Sequence, residues 1–250
     1  MPCVAHGRLP GHGGFAIARS MRKDHDPAST FQRRKARRIR RWNRPLETPW
    51  RRLRAWVNML VVDHGIFRLL YVNMHPVGAR GWRSAQPAPH DIRRFARAGG
   101  RTVVSLRGGK AFGSLPLETE ACAVHGLAYE NFVLRSRSLP AREELMQAMR
   151  LFSRIEYPVL FHCKSGADRA GFMAALYLVL AEGVPVAEAR RQLALRFGHV
   201  RQGPTGVLDA FFDAYEAETG GGVPLADWIR DGYDREAVIA GFRSRGWARL

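Results

Sequence analysis

Cysteine is scarce in this chain, which has only three in 250 residues: Cys3, Cys122 and Cys163. They are too few and too far apart along the sequence for a disulfide framework or a zinc cage. The sequence therefore predicts a reduced, cytoplasmic setting without a structural metal.

Long apolar runs are also missing. Asp63, His64 and Arg68 interrupt the most apolar stretch of the N-terminal quarter before it approaches the roughly 18 apolar residues of a transmembrane helix. Met1 is not followed by a basic start and a continuous apolar core, so no signal peptide is predicted.

Acidic residues are few compared with basic ones, 22 against 40, and the net charge is +18. The imbalance is concentrated at the start, because residues 1–54 hold 15 Lys or Arg against three acids, a net charge of +12. The rest of the chain is only mildly basic. We therefore expect a charged N-terminal part that differs in kind from the domain after it.

Three segments follow from these changes in character. Residues 1–48 are predicted to be a basic, disordered extension, residues 49–76 an amphipathic helical segment, and residues 77–250 the main folded domain. The helical prediction rests on apolar and aromatic residues that recur at spacings of three and four: Trp50, Leu53, Val57, Leu60, His64, Phe67 and Tyr71.

Two interpretations of the N-terminal part remain open at this point. The basic run can bind an anionic membrane surface or nucleic acid, or it can be a solvated tail. The amphipathic helix can lie in a membrane interface or pack on the folded domain.

After residue 77 the apolar patterns alternate between the periods of helices and strands. Strands are predicted over 102–106, 129–134 and 158–162. Helices are predicted over 89–98, 117–125, from residue 140 onward, over 171–182 and 185–197, and from an N-cap at Thr205. This alternation predicts an α/β fold in three layers, with a central, mostly parallel sheet flanked by helices.

The stretch 158–171 contains the residues with the clearest chemistry. An apolar strand pattern ends at Cys163, a short loop with Gly166 follows, and a helix opens after Arg169. Backbone N–H groups and the helix dipole then favour an anion, and Arg169 offers a planar fork for two phosphate oxygens. The predicted phosphate-binding residues are Lys164, Ser165, Gly166, Ala167, Asp168 and Arg169. The same positive field favours the thiolate of Cys163, which makes this residue the candidate nucleophile.

The spacing His-Cys-x-x-Gly-x-x-Arg, from His162 to Arg169, resembles the signature of the cysteine-dependent protein tyrosine phosphatase superfamily. Together with Trp-Arg-Ser-Ala-Gln-Pro at 82–87 and Thr-Val-Val-Ser-Leu-Arg at 102–107, it resembles the dual-specificity branch, including its bacterial tyrosine phosphatases. The resemblance implies a phosphatase domain over 77–250 and a P-loop between a strand and a buried helix. It also implies a phosphocysteine intermediate formed by Cys163, a supporting role for His162, and no metal or other cofactor.

The sequence departs from that family pattern in two places. Ala170 stands where family members commonly have Ser or Thr, whose hydroxyl helps the thiolate to leave, so the second chemical step is expected to be slow. The usual acidic residue on a separate loop is missing between residues 131 and 139. Asp168 is the candidate general acid, as in a related bacterial group with Asp before the loop arginine, and Glu130, Glu143 and Glu144 are the nearest alternatives.

The resemblance thus predicts a cysteine-dependent phosphomonoesterase whose partner is a phosphorylated protein, a phosphoinositide-like head group or a sugar phosphate. Two alternatives stay open: an RNA 5'-phosphatase, favoured by the basic extension, and a non-catalytic phosphate-binding protein, favoured by the two departures. The predicted location is cytoplasmic, with the membrane interpretation placing the protein at the inner face of the membrane.

Overall fold

A computed structural model describes residues 27–108 and 112–244. Its central sheet has five strands: His75–Val77 (β1), Gly81–Ser84 (β2), Thr102–Ser105 (β3), Ala128–Asn131 (β4) and Val159–His162 (β5). The strand order is β1-β2-β5-β3-β4. Only β1 runs antiparallel to its neighbour, and the pairs β2–β5, β5–β3 and β3–β4 are parallel.

Helices surround this sheet in the described ranges. They are Pro27–Trp42 (α1), Pro49–Val57 (α2), Ile66–Leu70 (α3), Pro89–Arg97 (α4), Ser114–Val124 (α5), Arg142–Arg154 (α6), Asp168–Glu182 (α7), Val186–Ala189 (α8), Val207–Thr219 (α9), Leu225–Asp227 (α10) and Arg235–Ser244 (α11). The predicted α/β fold with a mostly parallel sheet is confirmed.

The position of β5 in the sheet decides where Cys163 lies. All four residues of β5 are buried, as are those of β3, in agreement with their continuous apolar character. Because β5 is the middle strand, it delivers Cys163 to the centre of the carboxyl edge of the sheet. In parallel sheets this edge is where ligands bind.

Helix α7 packs against the sheet directly after the loop. It is apolar almost all round, and its residues from Ala170 to Leu178 are buried, as predicted. The ring of Phe172 lies against those of Phe211 and Phe212 on α9, with centroids 5.3 and 5.7 Å away. This packing fixes the start of α7, and with it the end of the loop.

Two predicted helical features after α7 are wrong. The predicted helix over 185–197 ends at Ala189, and short 3₁₀ turns continue the chain because it must bend toward the loop. The backbone carbonyls of Gln192 and Phe197 accept hydrogen bonds there from Arg83 and Asn73. Thr205 is not an N-cap, since α9 begins at Val207 and the Thr205 hydroxyl donates to the Val200 carbonyl instead.

The N-terminal part also differs from prediction. Residues 27–42 form α1 where the sequence predicts disorder, and the rest of that prediction, residues 1–26, lies outside the described residues. Arg, Lys, Ala and Gln are good helix formers, which accounts for α1. Trp42 at its end packs beside Leu46.

The predicted continuous helix over 49–76 is interrupted. After α2 the chain forms a π-helical turn over Asn58–Val62, and His64 adopts a positive φ of 55° before α3 begins. The face that packs on the domain carries Ala55 and Met59, which join Leu117 of α5 in one cluster. Most of the predicted aromatic and apolar stripe is exposed instead, with Trp50 at 61% and Phe67 at 70%, and only Leu60 among its apolar members packs against this cluster. No helix in the described ranges is long and apolar enough to span a bilayer.

Candidate active site

The loop from Cys163 to Arg169 joins β5 to α7 at the carboxyl edge of the sheet. Cys163 is buried, and its backbone N–H donates to the Ser84 carbonyl of β2 at 3.3 Å. Gly166 has a positive φ of 77°, and a Cβ built there would lie 2.6 Å from the Ala85 nitrogen. The sequence-based reason for glycine at this position is confirmed.

Four successive carbonyls of the loop accept hydrogen bonds from the protein behind it. The Gln86 N–H donates to the Lys164 carbonyl at 3.3 Å, and Asn73 Nδ2 donates to the Ser165 carbonyl at 3.1 Å. The guanidinium of Arg83 donates to the next two carbonyls, those of residues 166 and 167, at 2.5 and 2.9 Å.

This pattern orients the N–H groups of the loop. In a planar trans peptide the C=O and the following N–H point in opposite directions. Carbonyls that are held by the protein therefore turn the N–H groups of residues 165–168 toward the open side of the loop. One of them, the Ala167 N–H, lies 3.4 Å from the Ser165 hydroxyl. Such a row of N–H groups at a helix start is suited to binding an anion such as phosphate.

Arg83 places a buried positive charge behind this row. Its side chain is fully buried, and it forms no ion pair with a carboxylate among the described residues. It donates to the Gln192 side-chain oxygen at 3.0 Å, and its guanidinium carbon lies 4.0 Å from the centre of the Phe197 ring. Burial lowers the pKa of Arg83 to about 10, so it is still charged at neutral pH. That charge stabilises an anion in the loop or on the Cys163 sulfur.

The guanidinium of Arg169 is only partly hydrogen-bonded within the described part of the chain. Its Nη1 donates to the Leu106 carbonyl at 3.3 Å. Its Nε is buried and has no hydrogen-bond acceptor in the described part of the chain. A buried donor without an acceptor costs free energy, so an oxygen of a bound phosphate would satisfy it.

Asp168 is one end of a chain of three titratable groups, of which the other two, His199 and Asp209, are buried. His199 Nδ1 lies 2.8 Å from Asp168 Oδ1, and His199 Nε2 lies 2.7 Å from Asp209 Oδ2. Burial of His199 opposes its charged form, but the two carboxylates outweigh burial and raise the pKa of His199 to about 9. Asp168 itself is partly exposed and faces no second donor among the described residues.

His162 directly precedes Cys163 in the chain and is fully buried. Its Nε2 is 2.5 Å from Oε1 of Glu118, a buried residue of α5. The other oxygen of Glu118 accepts from Gln86 at 2.9 Å, and Gln86 accepts from Arg107 at 2.9 Å. Glu118, which contacts His162, thus belongs to a network of buried polar groups that continues toward the N-terminal segment.

The network ends at Asp63, between α2 and α3. Both carboxylate oxygens of Asp63 accept from Arg107 at 2.7 Å, and Arg68 donates to it at 2.8 Å. Burial of Asp63 opposes its charged form, but these arginines outweigh burial and lower the pKa of Asp63. Asp63 also lies 3.9 Å from Lys164 Nζ, so the N-terminal segment forms one wall of the site.

The glutamates that the sequence left as alternative acids have other partners. Glu130 forms a two-point ion pair with Arg154, which lowers the pKa of Glu130. Glu144 accepts from the Ala141 N–H at 2.7 Å and caps α6, while Glu143 is exposed in the same first turn. Among the candidate acids, the structure brings Asp168 to the loop.

Sequence reasoning missed several residues that shape the site. They are Asn73, Arg83, Glu118, His199 and Asp209. Arg83 gave a usable signal, since it lies inside a short strand pattern where a charged side chain needs a buried partner. The other residues gave none, because their contacts with the loop span from about thirty to more than ninety positions of the chain.

Comparison with known proteins gives one family match and several matches to solved structures. A model described as "Tyrosine phosphatase family" matches residues 80–191. The solved structure of P. aeruginosa TpbA is 20% identical over 69% of this chain and 91% of that chain, with a TM-score of 0.44. Tk-PTP in its active form is 21% identical over 55% and 94%, with a TM-score of 0.45. A substituted form of kinase associated phosphatase is 17% identical over 55% and 88%, with a TM-score of 0.43. A search of curated protein sequences gives no match.

The strand, loop and helix with Cys163 and Arg169 form a site whose geometry suits an anion such as phosphate. These residues all lie within 80–191, the part of the chain that is similar to the tyrosine phosphatase family.

Proposed function

We propose that the protein is a phosphomonoesterase that works through a phosphocysteine on Cys163. The observation that carries this proposal is the set of four loop carbonyls held by Gln86, Asn73 and Arg83. These bonds turn the amides of the loop toward its open side, where a phosphate would bind. Because the loop is fixed by bonds on its far side, little reorganisation is needed when the phosphate binds.

In the first step the Cys163 sulfur attacks phosphorus, and the bond from phosphorus to the leaving oxygen breaks. The loop N–H groups hold the negative charge on the phosphoryl oxygens. The Nε and the second terminal nitrogen of Arg169 bind two of these oxygens, which a single lysine ammonium does not reproduce. The buried charge of Arg83 helps to hold negative charge on the sulfur.

Asp168 is the proposed general acid for the leaving oxygen. Its Oδ1 is held by His199, and its side chain is partly exposed. We infer that Asp168 donates its proton to the leaving oxygen when the substrate is bound.

In the second step water attacks phosphorus, the phosphorus–sulfur bond breaks, and the water proton goes to the Asp168 carboxylate. Ala170 offers no hydroxyl to the departing sulfur. We infer that hydrolysis of the phosphocysteine limits turnover.

The substrate we propose is a strongly acidic phosphomonoester. Lys164 lies in the loop with 47% of its side chain exposed, so its ammonium can meet a second negative group beside the scissile phosphate. Phosphotyrosine in an acidic peptide, a phosphoinositide-like head group and a sugar bisphosphate all have this chemistry.

The test of the proposal compares Cys163→Ser and Arg169→Lys with the wild-type enzyme on an aryl phosphate. Cys163→Ser should lose turnover and keep substrate binding, because a serine hydroxyl is too weakly acidic to form the free nucleophile. Arg169→Lys should lose most of kcat. Turnover by Cys163→Ser within tenfold of wild type would contradict the mechanism, and a wild-type protein that binds phosphate without turnover would be a binding protein.

We also propose that the N-terminal basic segment brings the enzyme to an anionic membrane at its cytoplasmic face. Removal of residues 1–48 should leave activity on small soluble phosphates unchanged and abolish salt-sensitive binding to anionic vesicles. Full-length protein that ignores such vesicles at low salt, but binds RNA, would favour the RNA 5'-phosphatase alternative.

A further inference from the structure

The helices α1 and α2 enclose a cavity of about 760 Å³ that is separate from the phosphate loop. Six arginines line it: Arg37, Arg40, Arg41, Arg44, Arg51 and Arg54. None of the described residues that line the cavity is acidic. Arg51 has a partner in Glu47 at 3.3 Å, whereas Arg37, Arg40, Arg41 and Arg44 form no ion pair within the described ranges. A concave site with so many unpaired guanidinium groups fits a phosphate anion.

Large apolar side chains surround the same cavity and continue beyond it. Trp50, Leu53, Val57 and Val62 line the cavity and are all more than half exposed. The exposed row extends along the chain to Ile66 and Phe67. A contiguous apolar row on the surface of a folded chain marks a site of interaction.

The two features occur together on one short segment, which selects the partner. A nucleic acid satisfies the arginines but leaves the aliphatic row in water, since only the aromatic rings can stack on bases. A lipid surface satisfies both, because anionic phosphates lie directly above an apolar layer. We propose that the cavity between α1 and α2 binds the phosphate head group of an anionic phospholipid, with the row from Trp50 to Phe67 inserted beside it. This deepens the membrane location proposed above and is independent of the phosphocysteine chemistry.

The docking surface meets the active site at Asp63. Val62 lines the cavity, and the next residue is the carboxylate that binds Arg107 and lies beside Lys164 of the phosphate loop. Asn58, which also lines the cavity, accepts from the Gly113 N–H at 2.7 Å. The segment is therefore fixed to the catalytic domain, and binding to a bilayer would hold the phosphate loop close to the lipid phosphates.

The experiment uses the full-length protein and vesicles of phosphatidylcholine with or without phosphatidylglycerol. The triple variant Arg40→Gln, Arg41→Gln, Arg44→Gln should bind phosphatidylglycerol vesicles about 100-fold more weakly than wild type, from the usual contribution of each basic residue near an anionic surface. The control variant Arg93→Gln, Arg150→Gln, Arg243→Gln removes the same charge from exposed positions on α4, α6 and α11, and should bind within about threefold of wild type. Equal losses in both variants would reduce the effect to net charge and overturn the proposed site.

Insertion is tested separately with brominated phosphatidylglycerol, which quenches tryptophan in the acyl layer. Wild-type fluorescence should be quenched, and Trp50→Phe should remove most of the quenching without changing turnover of a soluble aryl phosphate. Absence of quenching in wild type, or vesicle binding that RNA displaces completely at equal phosphate concentration, would overturn the lipid assignment. Loss of turnover in all forms, with vesicle binding intact, would instead count against the phosphatase mechanism alone.

Discussion

Nδ1 of His199 lies 2.8 Å from Oδ1 of Asp168, so the aspartate that precedes the loop arginine shares one buried imidazole with a second carboxylate, Asp209. The three side chains come from the start of α7, the turn before α9, and α9 itself. Their hydrogen bonds join the end of the phosphate loop to the helix layer behind it. The contact between His199 and Asp168 thus couples the stability of the fold to the charge at the site.

The first prediction concerns stability at alkaline pH. The pKa of His199 is raised to about 9, above its unfolded value of about 6.5. A raised folded pKa gives stability that is complete below about pH 6.5 and is lost as the pH rises through 9. The free energy of unfolding of the wild type should therefore fall by roughly 2 kcal/mol between pH 7 and 9.5.

The measurement is urea unfolding at several pH values for wild type and His199→Gln. The variant should show a flatter dependence, since glutamine does not titrate. His125→Gln is the control, because His125 is exposed and lies outside the motif at residues 162–169. Its unfolding should depend on pH as that of wild type does. Parallel curves for His199→Gln and wild type would contradict a charged His199.

The second prediction separates the role of Asp168 as acid from its role in holding the loop. Asp168→Asn should slow alkyl phosphates by about 10- to 1000-fold, the usual contribution of general acid catalysis, because their leaving group needs a proton. Activated aryl phosphates should be affected much less. The measurement is kcat for a series of leaving groups of different acidity.

Asp209→Asn is the matched control, because it changes the other partner of His199 but lies on buried α9 away from the loop. This variant should lower kcat for alkyl and aryl phosphates to the same extent. If Asp168→Asn also lowered both alike, its role would be to hold the loop, and the acid would have to be sought at Glu143 or in a water molecule.

The third prediction tests Arg83, which donates to the Gly166 and Ala167 carbonyls. Lysine keeps the charge but cannot make the forked contact, so part of the loop loses its orientation. We expect Arg83→Lys to lower kcat/KM about 100-fold, which is the size of effect that follows when one or two oriented amide donors are lost. Arg80→Lys, an exposed residue just before the same strand, should leave kcat/KM within about twofold.

A readout besides activity keeps this test specific. Arg83→Lys should weaken binding of the phosphate analogue vanadate by a similar factor, whereas a variant that merely loses stability would bind normally below its unfolding temperature. Normal vanadate binding and normal turnover would show that the loop keeps its shape without the guanidinium.

The sequence predicted the parts of this site that are close together in the chain. The strand, loop and helix around Cys163 follow from local periodicity and from glycine, and the buried character of α7 follows from its composition. Arg83 and His199 could not be placed in this way, because the sheet order β2-β5-β3 and the bend after α8 bring them to the loop. Such contacts depend on tertiary packing that no local pattern encodes.

The N-terminal segment shows the same limit of local sequence patterns, because there the sequence predicted an apolar face that does not pack on the domain. Its period of three and four predicted one helix whose apolar stripe includes Trp50 and Phe67, yet these residues are exposed and Ala55 and Met59 pack instead. The buried ion pair of Asp63 with Arg107 interrupts the helix, since the chain turns at His64 to place that carboxylate. A sequence pattern identifies an apolar face but does not say whether protein or lipid covers it.

The last prediction concerns Ala170, which follows the loop arginine and is fully buried in the first turn of α7. Without a hydroxyl at this position, the sulfur departs from phosphorus unassisted, and phosphocysteine should accumulate. Rapid mixing of the wild type with an activated aryl phosphate should therefore give a burst of phenolate close to one equivalent per enzyme, followed by slow turnover. Ala170→Ser should speed the slow phase by about tenfold, the lower range of what one positioned hydrogen bond supplies, and reduce the burst. Ala174→Ser places the same hydroxyl one turn further along α7, at another fully buried position away from the sulfur, so it carries a similar cost of burial without the catalytic gain. A wild type without a burst would place the slow step before phosphocysteine hydrolysis, and equal rates for both serine variants would remove the catalytic reason for a hydroxyl after Arg169.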